Sequence, residues 1–187
     1  IENGAPYSVF LAADQERPER LVANGTAVEG TRFTYATGEL VLWSADETML
    51  AGDGEAVLRG GDYRALAIAN PDLAPYGLAA MQTLSSLDLE EALADRLVMG
   101  QNIGQAFTLV VSGNAELGLV ARAQILSRPQ GKEGSSWLVP EALHDAIRQD
   151  AVLLKRGMND EAAYKFIAFL RSDRAAAIIA AHGYEPG

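Results

Sequence analysis

The chain has 187 residues, of which 49% are hydrophobic and 21% charged, and its formal net charge is −10. This is the balance of a globular protein with a real core, not of a disordered one. The acidic surplus disfavours nucleic-acid backbones and anionic lipid surfaces as partners, and the absence of cysteine excludes disulfides and thiolate metal sites.

In chain order, residues 1–4 read as the end of a helix stopped at Gly4, and 7–13 as a buried strand. A chain that opens on the tail of a helix is expected to lack its own beginning. Residues 15–24 predict a short helix with Pro18 in its first turn and Gly25 after its end. Residues 32–44, rich in Phe, Tyr, Val, Leu and Trp and broken at Gly38, predict extended segments around a turn. Residues 45–61 are polar and hold four glycines, which predicts a surface connection. A strand at 66–69 leads to a helix from Pro75 to about Leu87, and a second short helix at 88–94 has Glu90 and Glu91 near its start. Then come a strand at 97–99, a helix at 102–112 stopped by Gly113, a strand at 117–121 and a helical turn at 123–126. Residues 129–136 are the clearest loop, followed by a strand at 137–139. Residues 146–155 contain the buried strand 151–154. Asn159 is the expected N-cap of a helix over 160–170, with Tyr164, Phe166, Ile167 and Leu170 on its apolar face. The last helix covers 173–181 and ends at Gly183. Strands alternating with helices predict an α/β fold with a largely parallel sheet. No apolar run is long enough to span a bilayer.

Familiar catalytic patterns are missing. Gly131-Lys132 lacks the remainder of a phosphate-binding P-loop, and neither a G-x-G-x-x-G fingerprint nor a G-x-S-x-G elbow occurs. His144 reads as a surface residue and His182 as the complement of a helix C-terminus. The carboxylate pairs Glu90-Glu91 and Asp160-Glu161 fall at helix starts, where they complement the dipole, and no metal-ligand spacing is present. An enzyme is therefore the weaker reading.

Two turns suit an anion. In Ala74-Pro-Tyr-Gly77, Pro75 is placed as the first helical residue, where its missing N–H costs nothing. The N–H groups that follow, from Tyr76 and Gly77, lack helical acceptors and carry the positive dipole end. Tyr76 adds a hydroxyl, and Gly77 permits close approach of a ligand. In Met99-Gly-Gln-Asn-Ile-Gly104, the Asn102, Ile103 and Gly104 amides open a helix, and Ile103 offers an N–H with no competing side chain. Either turn alone also fits an ordinary βα connection. Two in one sheet favour a ligand site, because open α/β sheets bind beyond the carboxyl ends of their strands.

At this point the chain resembles a family. The segments Ile1-Glu-Asn-Gly-Ala-Pro-Tyr-Ser-Val-Phe-Leu-Ala-Ala-Asp14, Gly38-Glu-Leu-Val-Leu-Trp43 and Ile68-Ala-Asn-Pro-Asp-Leu-Ala-Pro-Tyr-Gly-Leu78 occur in order. They are followed by Asn102-Ile-Gly-Gln-Ala106, Ala115-Glu-Leu-Gly-Leu-Val-Ala-Arg-Ala-Gln124 and Ala175-Ala-Ala-Ile-Ile-Ala-Ala-His-Gly-Tyr184. Together they are similar to the periplasmic molybdate/tungstate-binding proteins of ABC importers, over essentially the whole chain. The resemblance implies an α/β, two-lobe periplasmic-binding-protein fold of type II, with a tetrahedral oxyanion in the interlobe cleft. Lobe I would comprise 1–41 and 152–187 and lobe II 42–151, with crossovers at 40–43 and 150–153. It implies Tyr76 and Ile103 as oxyanion contacts, with Gly77, Asn102, Gly104 and Ala121 beside them. Ala121 occupies a position where some members carry Tyr. It implies molybdate or tungstate as ligand, no cofactor, no catalytic residue, membrane permease subunits as partners and a periplasmic location. The family's upstream lobe I strands, first helix and two polar loops have no counterpart before Ile1. Residues 1–187 are accordingly expected to carry only the lobe II half of the site and to bind molybdate far more weakly than the complete protein or not at all, with dimerisation or strand exchange through an uncovered edge. The alternative is the effector-binding domain of a transcription regulator with the same fold.

Overall fold

The computed structural model describes residues 1, 4–50 and 52–187. Glu2 and Asn3, and with them most of the helix end expected at residues 1–4, lie outside the described residues. Gly4 has φ +82° and its N–H donates to the Ile1 carbonyl. The elements are β1 (Val9–Leu11), α1 (Glu16–Ala23), β2 (Phe33–Gly38), β3 (Leu40–Ser44), α2 (Gly54–Gly60), β4 (Leu66–Ala69) and α3 (Pro75–Ser86). They continue with α4 (Glu90–Leu93), β5 (Leu97–Gly100), α5 (Ile103–Val111), β6 (Leu117–Ala121), α6 (Arg122–Leu126) and β7 (Ser135–Leu138). The chain ends with β8 (Ile147–Leu153), α7 (Glu161–Leu170), α8 (Asp173–Ala181) and β9 (Tyr184–Pro186). Among the described residues no helix is long and apolar enough to cross a membrane.

The chain forms two compact units, residues 1–38 with 147–187, and residues 39–146. The division falls a few residues before the crossovers read from the sequence. Its cause is strand pairing: Gly38 at the end of β2 is paired with Ile147 at the start of β8, while Leu40 opens β3 in the other sheet. The break at Gly38 is thus a change of sheet and not a hairpin.

The first unit holds a four-stranded sheet in the order β1-β8-β2-β9, antiparallel at every pair. Ala163 and Ile167 of α7 pack with Leu153 against Val9, Val28 and Phe33, and a second cluster joins Leu21, Ala27, Val152 and Leu154. Asp150 is buried, and its carboxylate accepts from Thr34 Oγ1 at 2.7 Å, Arg32 at 3.0 Å and Gln15 Nε2 at 3.2 Å. Several expectations change here. Only residues 9–11 of the expected strand 7–13 are extended, and Tyr7 and Leu11 are exposed, because β1 is a short edge strand. Asp160, not Asn159, caps α7, its carboxylate accepting from the Ala162 and Ala163 N–H groups. The buried stripe of α7 is Ala163 and Ile167, one turn apart, which leaves Tyr164 and Phe166 exposed. β9 was not expected; as an edge strand it can accommodate Pro186.

The second unit holds a five-stranded sheet in the order β5-β4-β6-β3-β7. β4 is parallel to β5 and β6, and β3 is antiparallel to β6 and β7. The expected largely parallel sheet is therefore confined to three strands. Alternation in a sequence reports the order of the elements, not which strands meet. β3, β4 and β6 are buried along their whole length, which explains their unbroken apolar runs. The region 45–61 is not only a connection. It contains α2, capped by the Asp53 carboxylate on the Glu55 N–H and anchored by the buried Leu58. Glycines at both of its ends masked it in the sequence. Trp43 of β3 and Phe107 of α5 meet with ring centroids 5.0 Å apart, and the Trp43 indole N–H donates to the Glu133 carbonyl at 2.6 Å.

Candidate functional site

The parallel register aligns Ala69 of β4 with Gly100 of β5, and β6 runs in the same direction beside β4. The carboxyl ends of the three strands therefore share one edge of the sheet, and α3, α5 and α6 each start there. This is the edge at which α/β sheets present ligands with backbone donors.

The turn after β4 is held by Asn70. Its N–H donates to the Gly100 carbonyl at 2.7 Å, its side chain accepts from the Asp72 N–H at 2.9 Å, and its carbonyl accepts from the Ala74 N–H at 2.9 Å. Ala74 is extended, with φ −133° and ψ 126°, and Pro75 opens α3 as the sequence suggests. Tyr76 follows and is only 4% exposed. Gly77 is a correction. A Cβ on Gly77 would lie 2.3 Å from the Ala69 carbonyl oxygen, so the close approach it permits is that of its own β4 backbone, not of a ligand. Its N–H is also engaged, donating to the Ala74 carbonyl at 2.9 Å in a tight first turn.

The turn after β5 is built around Asn102. Its backbone is extended, its side chain accepts from the Gln105 N–H at 2.9 Å, and the Gln105 side chain accepts from the Gln101 N–H at 2.7 Å. Among the described residues the Ile103 and Gly104 N–H groups have no acceptor, as the first positions of a helix require. The Ile103 side chain packs against the core cluster of Val41, Trp43 and Val110. Gly100 allows the helix to sit this close, since a Cβ there would meet the Ala106 nitrogen at 2.5 Å.

Ala121 ends β6 and is buried, paired with Leu40 of β3. Its N–H donates to Gln124 Oε1 at 3.2 Å and is thereby committed. The same Gln124 donates from Nε2 to the Ile103 carbonyl at 3.2 Å. Sequence reading missed Gln124. The only local signal is its place three residues after the N-cap of α6, where Glu or Gln commonly accepts a cap bond. Arg122 opens α6 at this edge, and its guanidinium is neutralised by Glu39 at 2.7 and 2.9 Å. The structure thus brings Tyr76, Ile103, Gly104 and Ala121 to one sheet edge, with Asn102 serving as a cap. Both histidines lie elsewhere in bonding terms: His182 Nδ1 faces the Ile178 carbonyl at 2.8 Å as the C-cap of α8, and His144 Nδ1 faces the Asp145 carbonyl at 2.8 Å.

The carboxyl edge of this α/β sheet offers uncharged N–H groups at its helix starts, a donor set suited to an anionic ligand. Residues 1–185 match the family described as bacterial extracellular solute-binding protein, and the chain belongs to that family. It is 48% identical over 184 residues to the molybdate-binding protein ModA of Azotobacter vinelandii, covering 98% of this chain and 73% of that protein. It is 48% identical over 185 residues to the ModA of Rhodobacter capsulatus, covering 98% of this chain and 71% of that protein. Among solved structures, the Azotobacter vinelandii periplasmic molybdate-binding protein matches with a TM-score of 0.91 at 42% identity, over 100% of this chain and 81% of that one. These relatives are named for binding, and the regulator alternative gains nothing from them.

Proposed function

We propose that this chain is a solute-binding component of an ABC importer in the periplasm, taking molybdate or tungstate from solution and presenting it to permease subunits. The observation that carries this reading is the convergence of Tyr76 with the unpaired Ile103 and Gly104 amides at one sheet edge. The 48% identity to two molybdate-binding relatives supplies the ligand class. A tetrahedral dianion is an acceptor at every oxygen. Tyr76 O–H and the α5 amides would donate to it, the helix dipole adding its positive end. The Arg122 charge beside this edge is already neutralised by Glu39 and makes no demand on the ligand. Recognition is then a matter of hydrogen bonds and spacing, without a chemical step.

The test is an amide-resolved NMR titration of the chain with molybdate, tungstate and sulfate. Molybdate and tungstate should move the Ile103 and Gly104 resonances along saturable curves. A neutral donor on a charged acceptor contributes about 1.5–3 kcal/mol, so Tyr76→Phe should weaken binding by roughly 10- to 100-fold. Shifts scattered over the surface without saturation, or an unchanged affinity in Tyr76→Phe, would overturn the reading.

A further inference from the structure

Gln124 makes two bonds of opposite sense to two different turns of the donor edge. Its Oε1 accepts from the Ala121 N–H at 3.2 Å, and its Nε2 donates to the Ile103 carbonyl at 3.2 Å. The first is an ordinary cap of α6 and could be made equally by Glu. The second could not, because a carboxylate has no hydrogen to offer a carbonyl oxygen. The need for Gln over Glu at this position is therefore set by the bond to Ile103. That bond holds the residue whose N–H opens α5, and holds it to the end of β6 two strands away in the sheet. The side chain is half-buried, so water competes poorly for both bonds.

We infer that Gln124 is a positioning residue for the anion site: it fixes the Ile103 and Gly104 donors against the β6 edge without touching the ligand. This rests on the function proposed above. The Asn102 cap and the Gly100 contact act along the β5–α5 connection itself, and the Ile103 side chain packs on Val41 and Trp43 of β3 without fixing its main chain by a hydrogen bond. Among the described residues, Gln124 gives the hydrogen bond that reaches the Ile103 main chain from the end of another strand, and so it sets the lateral place of the donors.

Two variants test this in the whole chain, with molybdate as ligand. Gln124→Met keeps length and neutrality but loses both bonds. Gln124→Glu keeps the cap on Ala121 and loses only the tie to Ile103. Both should bind molybdate about 10-fold more weakly in the NMR titration, with melting temperatures within about 2 °C of the unsubstituted chain. Hydrogen exchange at the Ala121 amide should quicken in Gln124→Met and stay slow in Gln124→Glu. Salt at about 0.5 M screens the added charge of Gln124→Glu, and the loss should persist there. Affinity equal to that of the unsubstituted chain in either variant at that salt would overturn the inference. So would a loss in Gln124→Met alone that follows its melting temperature, since the cap would then be what matters. Failure of the unsubstituted chain to bind molybdate would instead remove the proposed function, and this inference with it.

Discussion

Gly77 and Gly100 set the site by what they lack. Each lets a helix start press on the end of a strand, with virtual Cβ contacts of 2.3 Å to the Ala69 oxygen and 2.5 Å to the Ala106 nitrogen. Both contacts are to backbone, so no side chain can swing aside. Gly77→Ala should therefore cost about 3 kcal/mol, the upper part of the usual range for overpacking, measured by urea unfolding; a loss below about 0.5 kcal/mol would contradict the packing. The residue-scale reading from sequence located the start of α3 at Pro75 and the start of α5 beside Asn102, because proline and Asn at helix starts are local signals. It misjudged Gly77, since a bare α-carbon looks the same whether a ligand or a strand lies against it. It missed Gln124, because its partner Ile103 is distant in sequence and nothing local announces a bond to a carbonyl.

At the scale of elements, α5 shows how a cap and a binding edge share residues. Asn102 accepts from the Gln105 N–H, and Asp can do the same at similar strength. Asn102→Asp should thus leave thermal stability within about 1 °C while placing a negative charge beside the Ile103 and Gly104 amides. Molybdate binding should fall by more than about tenfold, whereas Asn102→Ala should lose about 1 kcal/mol of stability. Calorimetry on the two variants separates cap from charge; equal binding by Asn102→Asp would place the anion elsewhere. Elements with strong periodicity were legible: β4, β6 and α8 match the sequence expectation to the residue. Those that failed had competing cues. α2 lay among glycines, β9 was three residues long, and the aromatic residues of α7 suggested a buried face where the smaller Ala163 and Ile167 make the contact.

For the molecule as a whole, charge governs the pH range of stability. The burial of Glu116 pushes its pKa up, but the Arg64 guanidinium and the Ala65 and Arg64 N–H groups outweigh it and hold the carboxyl below its usual 4.5. The Ser8 hydroxyl, with the Ala162 and Ala163 N–H groups, holds Asp160 below its usual 3.8. A depressed folded pKa contributes stability that is present above the unfolded value and lost as pH falls through the folded one. Burial, with Tyr184 and Asp150 nearby, pushes Tyr35 up to about 12, and burial also raises Tyr63 and Tyr184. The Tyr35 contribution is full below pH 10 and is lost as pH rises toward about 12, and those of Tyr63 and Tyr184 are likewise lost on the alkaline side. The melting temperature should be level near neutrality and fall on both sides, below about pH 4.5 and above about pH 10. Circular dichroism melts across that range check it; a midpoint still rising at pH 11 would contradict the tyrosine assignment.

The orientation of Ile103 has one more consequence. Its side chain is spent on the core, and what it offers outward is a peptide hydrogen that every residue but proline possesses. Any apolar side chain of similar volume would fill the same place in the core and leave the donor where it is. Recognition written in main-chain atoms leaves no mark in the residue alphabet. Two relatives can differ at such a position and still share the site, so side-chain identity understates how much of the binding edge they have in common.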